Sequence, residues 1–134
     1  MTLEEGLRLK ALSDAGLAAL IGNRWGVLLD TTVPCITYQQ VSGVPVYTHD
    51  GDAGLEACRY QLAMHTSCVY DALKVMARLK TIFSGFKGNL GAAGEGPSVV
   101  TRIANATHHG KQPGVNLFYS TMDLDIWWNR DLEA

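Results

Sequence analysis

The feature that most constrains the fold is an amphipathic helix of about seventeen residues, expected to begin after a cap at Thr66-Ser67. Its apolar residues recur at the i, i+3, i+4, i+7 spacing of one helical face: Val69, Ala72, Leu73, Met76, Leu79 and Phe83. Lys80 lies near the C-terminal end, where the helix dipole favours a positive charge, and Ser84-Gly85 ends the pattern. A helix with one apolar face must bury it against another layer, so the rest of the chain has to supply a sheet.

Four segments have the composition and alternation of β-strands. Residues 35–41 are rich in β-branched and aromatic side chains, and residues 55–66 alternate polar and apolar residues. Residues 98–107 are also β-rich, and residues 115–128 form the longest alternating segment. In that last segment Trp127 and Trp128 must point to opposite faces, which predicts one buried and one exposed indole.

Breaks and turns are expected between these strands. Ser42-Gly43 should end the first strand, and Pro45 makes residues 44–48 an edge strand at most. Residues 49–54 are expected to form a polar loop, residues 85–97 a mobile glycine-rich loop and residues 108–114 a turn. Before the first strand, residues 2–21 read as two short helices capped by Thr2 and Asp14.

The order α-α-β-β-β-α-β-β predicts an α+β fold. We expect an antiparallel β-sheet with a long amphipathic helix packed on one face and an N-terminal helical arm, in a single domain spanning residues 1–134. Charged residues make up 18% of the chain, against a typical value of about 25%. Such a low charged fraction suggests that part of the surface is buried against neighbouring molecules.

Composition excludes little else. The net charge of −2 predicts neither nucleic-acid nor membrane binding, since both favour a basic face. The apolar runs are far shorter than the ~20 residues that a membrane span needs. Three widely spaced cysteines without a CxxC pair predict free thiols in a reducing compartment.

Three patterns invite a catalytic or ligand-binding interpretation, and each has a simpler one. His65 and Cys68 could hold a metal or form a nucleophile with its base, but a small thiol in a helix's first turn explains Cys68 equally. Asp123 and Asp125 share one strand face, where polar residues are ordinary. The glycine-rich loop lacks the Gly-Lys-Ser/Thr ending of a phosphate loop. We therefore expect no enzyme activity, no cofactor and no metal.

Three segments resemble the tail terminator, or tail completion, proteins of long-tailed bacteriophages. Residues 17–22 (LAALIG) followed by residues 33–39 (VPCITYQ) match the family's helix and Pro-led strand. Residues 59–62 (RYQL), running into the helix from Cys68, match its Arg-led strand and long helix. Residues 119–127 (YSTMDLDIW) match its closing strand of alternating aspartates, so the likeness spans roughly residues 3–128. This chain departs from the family in two places. The family often has an aromatic residue where this chain has His65-Thr66, and the glycine-rich stretch of this chain is longer than is usual in the family.

The resemblance implies a structural virion protein, not an enzyme. Members of this family form a homo-hexameric ring on the head-proximal end of the tail tube, which stops tube polymerisation and docks the head connector or stopper protein. The implied partners are further copies of the chain, the major tail tube protein, the connector, and DNA that passes through the lumen without sequence-specific binding; no membrane is implied. The chain would be found in the virion tail, and in the host cytoplasm during assembly. Another neck component, either a stopper or a head-completion protein, is the alternative, followed by a small cytosolic thiol enzyme.

The polar loops and the polar face of the last strand are the expected contact sites with other subunits or the tube. Loops and exposed strand edges are natural docking elements. The candidate interface residues are His49, Asp50, Asp52, Gly88, Asn89, Leu90, Glu95, Asp123 and Asp125.

Overall fold

The computed structural model describes residues 2–27, 33–49, 51–91, 94, 96–111 and 117–129. Its helices are α1 (Leu3–Leu12), α2 (Ala15–Ile21) and α3 (Val69–Phe83). Its strands, in chain order, are β1 (Trp25–Gly26), β2 (Cys35–Thr48), β3 (Gly51–Thr66), β4 (Lys87–Asn89), β5 (Ser98–Lys111) and β6 (Phe118–Asn129).

The six strands form one mixed sheet in the order β1-β2-β3-β6-β5-β4. β1 pairs with β2 in parallel, through Trp25 opposite Ile36, and every other pairing is antiparallel. The sheet curls into a half-barrel. Long antiparallel strands coil in this way because each carries the right-handed twist of L-residues, and β2 and β5 contain bulges that add to it.

The hydrophobic core lies between one face of this sheet and all three helices. The even-numbered residues of β3 and β6 face the helices, so that Leu62, Met64, Leu124 and Ile126 are buried. The helices contribute buried residues from each of their inward faces: Leu3, Leu7 and Ala11 of α1, Leu17 and Ile21 of α2, and Val75, Leu79 and Phe83 of α3. At ~25 cal/mol per Å² of apolar surface removed from water, this layer is the main source of stability.

Polar contacts fix how the N-terminal helices sit on the core. Asp14 caps α2 by accepting from the Leu17 amide at 2.9 Å, and its carboxylate also accepts from Arg78 Nε of α3 at 3.0 Å. On the other side, the hydroxyls of Tyr38 and Tyr60 both donate to Glu4 of α1 at 3.1 Å. These two contacts tie α1 and α2 to β2, β3 and α3.

The expected fold class is therefore wrong. The sheet is mixed instead of antiparallel, and three short helices share its face where one long helix was expected. The N-terminal helices do not form a separate arm, because their apolar faces (Leu7 and Leu17 among them) belong to the same core as α3. α3 alone is too narrow to cover so curved a sheet.

The strands are also longer than the sequence indicates. β2 passes through Gly43 and Pro45 without ending, since register shifts beside both positions absorb the irregularity. Proline is tolerated in an edge strand, where its missing N–H breaks no ladder. The predicted mobile loop contains β4, whose Lys87 lies opposite Val100. β5 continues to Lys111, through what was predicted to be a turn.

Candidate assembly interface

The sheet face turned away from the helices is polar, and its central feature is a carboxylate held by two arginines. Asp125 of β6 lies opposite Arg59 of β3 on one side and Arg102 of β5 on the other. Arg59 Nε donates to Asp125 Oδ1 at 2.8 Å, and Arg102 donates to Oδ2 at 2.9 Å. This arrangement joins the three central strands through side chains as well as through backbone hydrogen bonds.

The charge state of Asp125 follows from these contacts. The hydrogen bond from Arg59 holds the pKa of Asp125 below its usual value, Arg102 adds to this, and partial burial opposes it. The carboxylate is therefore ionised at neutral pH. Asp123, two residues earlier on the same face, lies between Gln61 and Asn105 in the strand register and is half-buried.

A row of rings crosses the same face nearer the end of β3. His65 lies 5.5 Å from Tyr119 between ring centroids, and Tyr119 lies 5.0 Å from His109. His65 is buried, which lowers its pKa and keeps the ring neutral. His65 Nε2 lies 3.3 Å from the Thr37 hydroxyl, and both line an open groove of about 570 Å³ together with Gln39 and Gln61.

These polar groups do not form a metal or thiol centre. Within the described residues, no group of three or more His, Cys, Asp and Glu side chains could hold a metal ion. His65 and Cys68, the pair that the sequence left as an unfavoured alternative, take different partners. The His65 ring contacts Thr37 and Tyr119 on the sheet, while the backbone of Cys68 begins α3. The other thiols are buried, and burial raises the pKa of Cys58 to about 12.

The β2–β3 hairpin extends beyond the rest of the sheet. β3 pairs with β6 from Leu55 to Thr66, and beyond Leu55 the described strands that remain side by side are β2 and β3 alone. We call residues 41–49 and 51–57 the ribbon. Leu55, Glu56 and Ala57 at its base still pair with β6, so within the described residues the two-stranded part lies beyond Leu55. It contains exposed apolar side chains at Val41, Val44 and Tyr47, of which Tyr47 is 69% exposed.

The predicted loop residues lie at two places. His49 is exposed at the tip of the ribbon, and the backbone of Asp52 lies opposite Tyr47, while Asp50 and Glu95 fall outside the described residues. Gly88 and Asn89 belong to β4, opposite Val99 and Ser98. Leu90 is buried in the core of its own chain. It packs so closely against Gly6 of α1 that a Cβ added to Gly6 would lie 2.8 Å from the Leu90 side chain.

Leu90 and Asn89 hold the segment after β4 against the sheet. The Leu90 amide donates to the Pro97 carbonyl at 3.0 Å, and the Gly96 amide donates back to the Leu90 carbonyl at 2.8 Å. The Asn89 side chain also donates to the Gly96 carbonyl at 3.2 Å. Leu90 is therefore an internal residue of its own subunit. Of the three predicted interface residues at positions 88–90, Gly88 and Asn89 are the ones nearer the surface.

Sequence reasoning missed an exposed apolar patch on α3. Val69 and Leu73 were assigned to the buried face, yet Val69 is 42% and Leu73 46% exposed, while Val75 takes a core position. Tyr70 is 69% exposed beside them, and Ala77 continues the same exposed face. We call Val69, Tyr70, Leu73 and Ala77 the helix patch. The helical wheel holds the missing signal: Val69 and Leu73 lie at the edge of the apolar arc, towards Lys80.

The pair of tryptophans was predicted correctly. Trp128 faces the core and is 7% exposed, whereas Trp127 is 41% exposed on the opposite face. The guanidinium of Arg102 lies 5.3 Å from the Trp127 ring, so one arginine contacts both the indole and Asp125. The outer face thus has an ordered polar centre with an aromatic residue at one end.

In the described part of the chain, no helix has the length and apolar character needed to cross a membrane.

Comparison with known proteins gives a match in structure alone. No protein-family model matches the chain, and no curated protein matches it in sequence. A chain in the solved structure "Virion of native gene transfer agent (GTA) particle" matches it with a TM-score of 0.75. The match covers 94% of this chain and 93% of that chain, at 11% sequence identity. The two chains therefore share a fold over nearly their whole lengths.

Proposed function

We propose that this chain is a structural protein of a phage-like virion, and within that class a tail terminator. The observation that carries the proposal is the fold shared, almost end to end, with a chain of a gene transfer agent virion. The sequence likeness of three segments to tail terminators points to the same class independently. In this role the chain forms a hexameric ring that caps the head-proximal end of the tail tube and presents a docking surface to the head connector.

The distribution of exposed strand edges supports self-association. Among the described residues, β1 pairs with β2 only at Ile36 and Thr37, and β4 pairs with β5 only from Ser98 to Val100. The remaining lengths of β2 and β5 lie at opposite edges of the sheet. Such edges are natural sites of association. Two different surfaces on one subunit favour head-to-tail contacts, which close into a ring when the rotation permits.

The charge distribution is compatible with a lumen through which DNA moves. Lysines and arginines that contact phosphate would hold DNA in place. On the outer face of the sheet, Arg59 and Arg102 share Asp125, and Asp123 adds a further negative charge. This face therefore offers DNA no concentrated positive charge.

The test uses tail tubes assembled from the major tail tube protein of the phage-like particle that encodes this chain. The purified chain should bind tube ends, stop their elongation, and be retained by immobilised tube protein. If tube length is unchanged and the chain is absent from the ends, the tail-terminator role is wrong. Retention by the connector or portal protein without retention by tube protein would instead assign the chain to another neck position.

A further inference from the structure

We infer that the β2 edge of one subunit pairs with the β5 edge of the next copy of the same chain, so that the sheet continues from subunit to subunit. The pairing is antiparallel, and it places Gln39 of one copy opposite Asn105 of the next. This inference deepens the proposed ring and rests on it for the number of copies. The contact itself can be measured on the purified chain without any tail tube.

The edge of β2 is open over residues 38–43. β1 covers this edge for two residues only, and there the Ile36 amide donates to the Arg24 carbonyl at 2.9 Å. Because backbone groups alternate along a strand, the Tyr38 carbonyl and both backbone groups of Gln40 point to the same side. They lie beyond the end of β1, and among the described strands none pairs with them there.

The open part of β2 has room for another strand beside it. The groove of about 570 Å³ is lined by Thr37 and Gln39 of the outer face and also by Tyr38 and Gln40 of the helix side. A groove that contacts both faces of a strand lies along its edge. Residues 38–43 contain no proline and no charged residue, although these are the usual means of keeping a strand edge from pairing.

The edge of β5 is open over a stretch of similar length. β4 pairs with β5 over three residues only, and the Thr101 amide then donates to the Phe86 carbonyl on the same side at 2.9 Å. Beyond that contact, the described part of the chain supplies no partner strand for residues 102–109. Residues 103–107 again contain no proline and no charged residue.

A bulge determines which backbone groups of β5 point to this open edge. The alternation that starts at the contact with β4 makes Ile103 point there. The bulge between Ile103 and Asn105 adds one residue, which shifts the alternation so that Ala106 also points to the open edge. When Gln39 lies opposite Asn105, the Ala106 amide can therefore donate to the Tyr38 carbonyl of the neighbouring copy.

The polar side chains of the two edges match in this register. Within one subunit, a single row across the outer face already contains Gln39, Gln61, Asp123 and Asn105. Gln39 and Asn105 end this row on opposite sides, and both are exposed. Each has an amide that donates and accepts hydrogen bonds, so placing them opposite each other continues the row across the subunit boundary.

On the helix side, the same register places a large residue beside a small one. The Tyr38 ring lies 6.1 Å from the Trp25 ring, and its hydroxyl donates to Glu4 at 3.1 Å. Because these contacts hold the ring in position, a strand that pairs here must offer a small side chain next to Tyr38. Ala106 meets that requirement, which favours β5 of a second copy over a strand with a large residue at this point.

The two short edge strands leave the paired segment open. β1 covers β2 up to Thr37, and β4 covers β5 up to Val100. In the inferred register, β1 of one copy and β4 of the next lie at opposite ends of the paired segment. β5 also has a bulge between His108 and Gly110, and a bulge bends its strand, so β5 can turn away from β1 of the neighbour.

The pairing of two different edges determines the type of assembly. An edge that paired with itself would give a symmetric dimer, whereas β2 on β5 leaves one free edge of each kind at every step. Association therefore continues until the last β2 edge meets the first β5 edge. The result is a closed ring, as the proposed function requires.

The experiment cross-links two differently tagged chains, one with Gln39→Cys and the other with Asn105→Cys. Both also contain Cys68→Ser, because Cys68 is the partly exposed native thiol. After brief oxidation of an equimolar mixture, we expect the mixed disulfide dimer to be at least about ten times as abundant as either same-chain dimer, since only the mixed pair meets the distance that a disulfide needs. A chain with both cysteines should give a ladder of covalent multimers, because its own two positions are separated by three strand spacings, about 14 Å.

A matched control replaces Gln39→Cys with Gln40→Cys. Gln40 is the next residue, is also a glutamine and is also exposed, but its side chain lies on the other face of β2. It should therefore give the mixed dimer only at the ratio expected from random collision. The same random ratio with Gln39→Cys, or an equal yield from Gln39→Cys and Gln40→Cys, would overturn the inference.

A charge exchange tests the same pair without cysteines. Gln39→Glu combined with Asn105→Glu places like charges opposite each other and should weaken self-association severalfold in sedimentation velocity. Gln39→Lys combined with Asn105→Glu should restore it. Equal weakening by both double variants would contradict the pairing of these two residues.

A further measurement uses the unmodified chain. Amide hydrogen exchange at low and high protein concentration should show protection gained both in residues 38–43 and in residues 103–107, and protection gained in one segment alone would contradict the inference. Cross-linking of Gln39→Cys to tail tube protein in preference to Asn105→Cys would assign the β2 edge to that partner instead. Specific cross-linking without capping of tail tubes would retain this contact and reject the tail role, whereas capping without it would do the opposite.

Discussion

The two halves of the β2–β3 hairpin are continuous in the backbone and opposite in their surroundings. In the base, residues 35–38 and 58–66, side chains such as Ile36 and Leu62 are at most 1% exposed and pack under the helices. In the ribbon, Val44 and Tyr47 are more than half exposed. The same pair of strands is therefore part of the core at one end and exposed at the other.

The largest expected difference between the two halves is in stability. Leu62→Ala in the base should lower the free energy of unfolding by about 2–5 kcal/mol, because it leaves a cavity in a packed core. Val44→Ala in the ribbon should change it by less than about 0.5 kcal/mol, since that side chain is already in water. Urea denaturation of the two variants, followed by circular dichroism, measures both effects. Equal losses would mean that the ribbon folds as part of the core.

The next largest effect on stability is expected at Asp125, whose ion pairs with Arg59 and Arg102 depend on pH. Asp125→Asn should cost about 1.5–3 kcal/mol at neutral pH, the usual range for hydrogen bonds to a charged group. Because the pKa of Asp125 is lower in the folded chain than in the unfolded chain, its stabilising effect is complete above the unfolded value of about 3.9. The effect is lost as the pH falls through the folded value.

Chemical denaturation at several pH values tests this directly. The difference in stability between the parent chain and Asp125→Asn should be constant from about pH 7 to pH 5 and should shrink below about pH 4. The carboxylate of Asp14 also has a lowered pKa, through Arg78, so the parent chain has a second acid-sensitive contact that both proteins share. A difference that does not change with pH would show that Asp125 contributes no charge-dependent stability.

The smallest effects are expected at Asp14, where two variants distinguish the N-cap of α2 from the ion pair with Arg78. Asp14→Asn keeps a side-chain acceptor for the Leu17 amide but removes the ion pair with Arg78, so it should cost at most about 1 kcal/mol. Asp14→Ala removes both and should cost about 1–2 kcal/mol. Thermal denaturation ranks the two variants. The order Asp14→Ala less stable than Asp14→Asn is the expected result, and the reverse order would contradict this assignment of the cap.

Periodicity predicted local structure well where burial is one-sided. The alternation of β6 placed Trp128 inside and Trp127 outside, and the helix expected between Thr66-Ser67 and Ser84-Gly85 was found there as α3. Strand continuity was not predictable in the same way. Whether β2 ends at Gly43 or continues through Pro45 depends on pairing with β3, a non-local contact that local propensity does not encode.

The candidate interface was only partly accessible from the sequence. Polar composition indicated the tip at His49, but the exposed side chains of Tyr47 and Leu73 look like core residues in any local pattern. Leu90 shows the converse, since a residue in a glycine-rich segment became buried against Gly6. Exposure of an apolar residue depends on where the helices end on the sheet, and that is a property of the folded chain.

The proposal that this chain forms a ring at the end of a virion tail is tested most directly by an image of the phage-like particle in which it would assemble. Cryo-electron microscopy of the tail's head-proximal end should show six copies of this half-barrel around the axis, between tube and connector. A tail end that lacks this fold, or normal virions assembled from a mutant without the chain, would show that the chain is not a tail terminator.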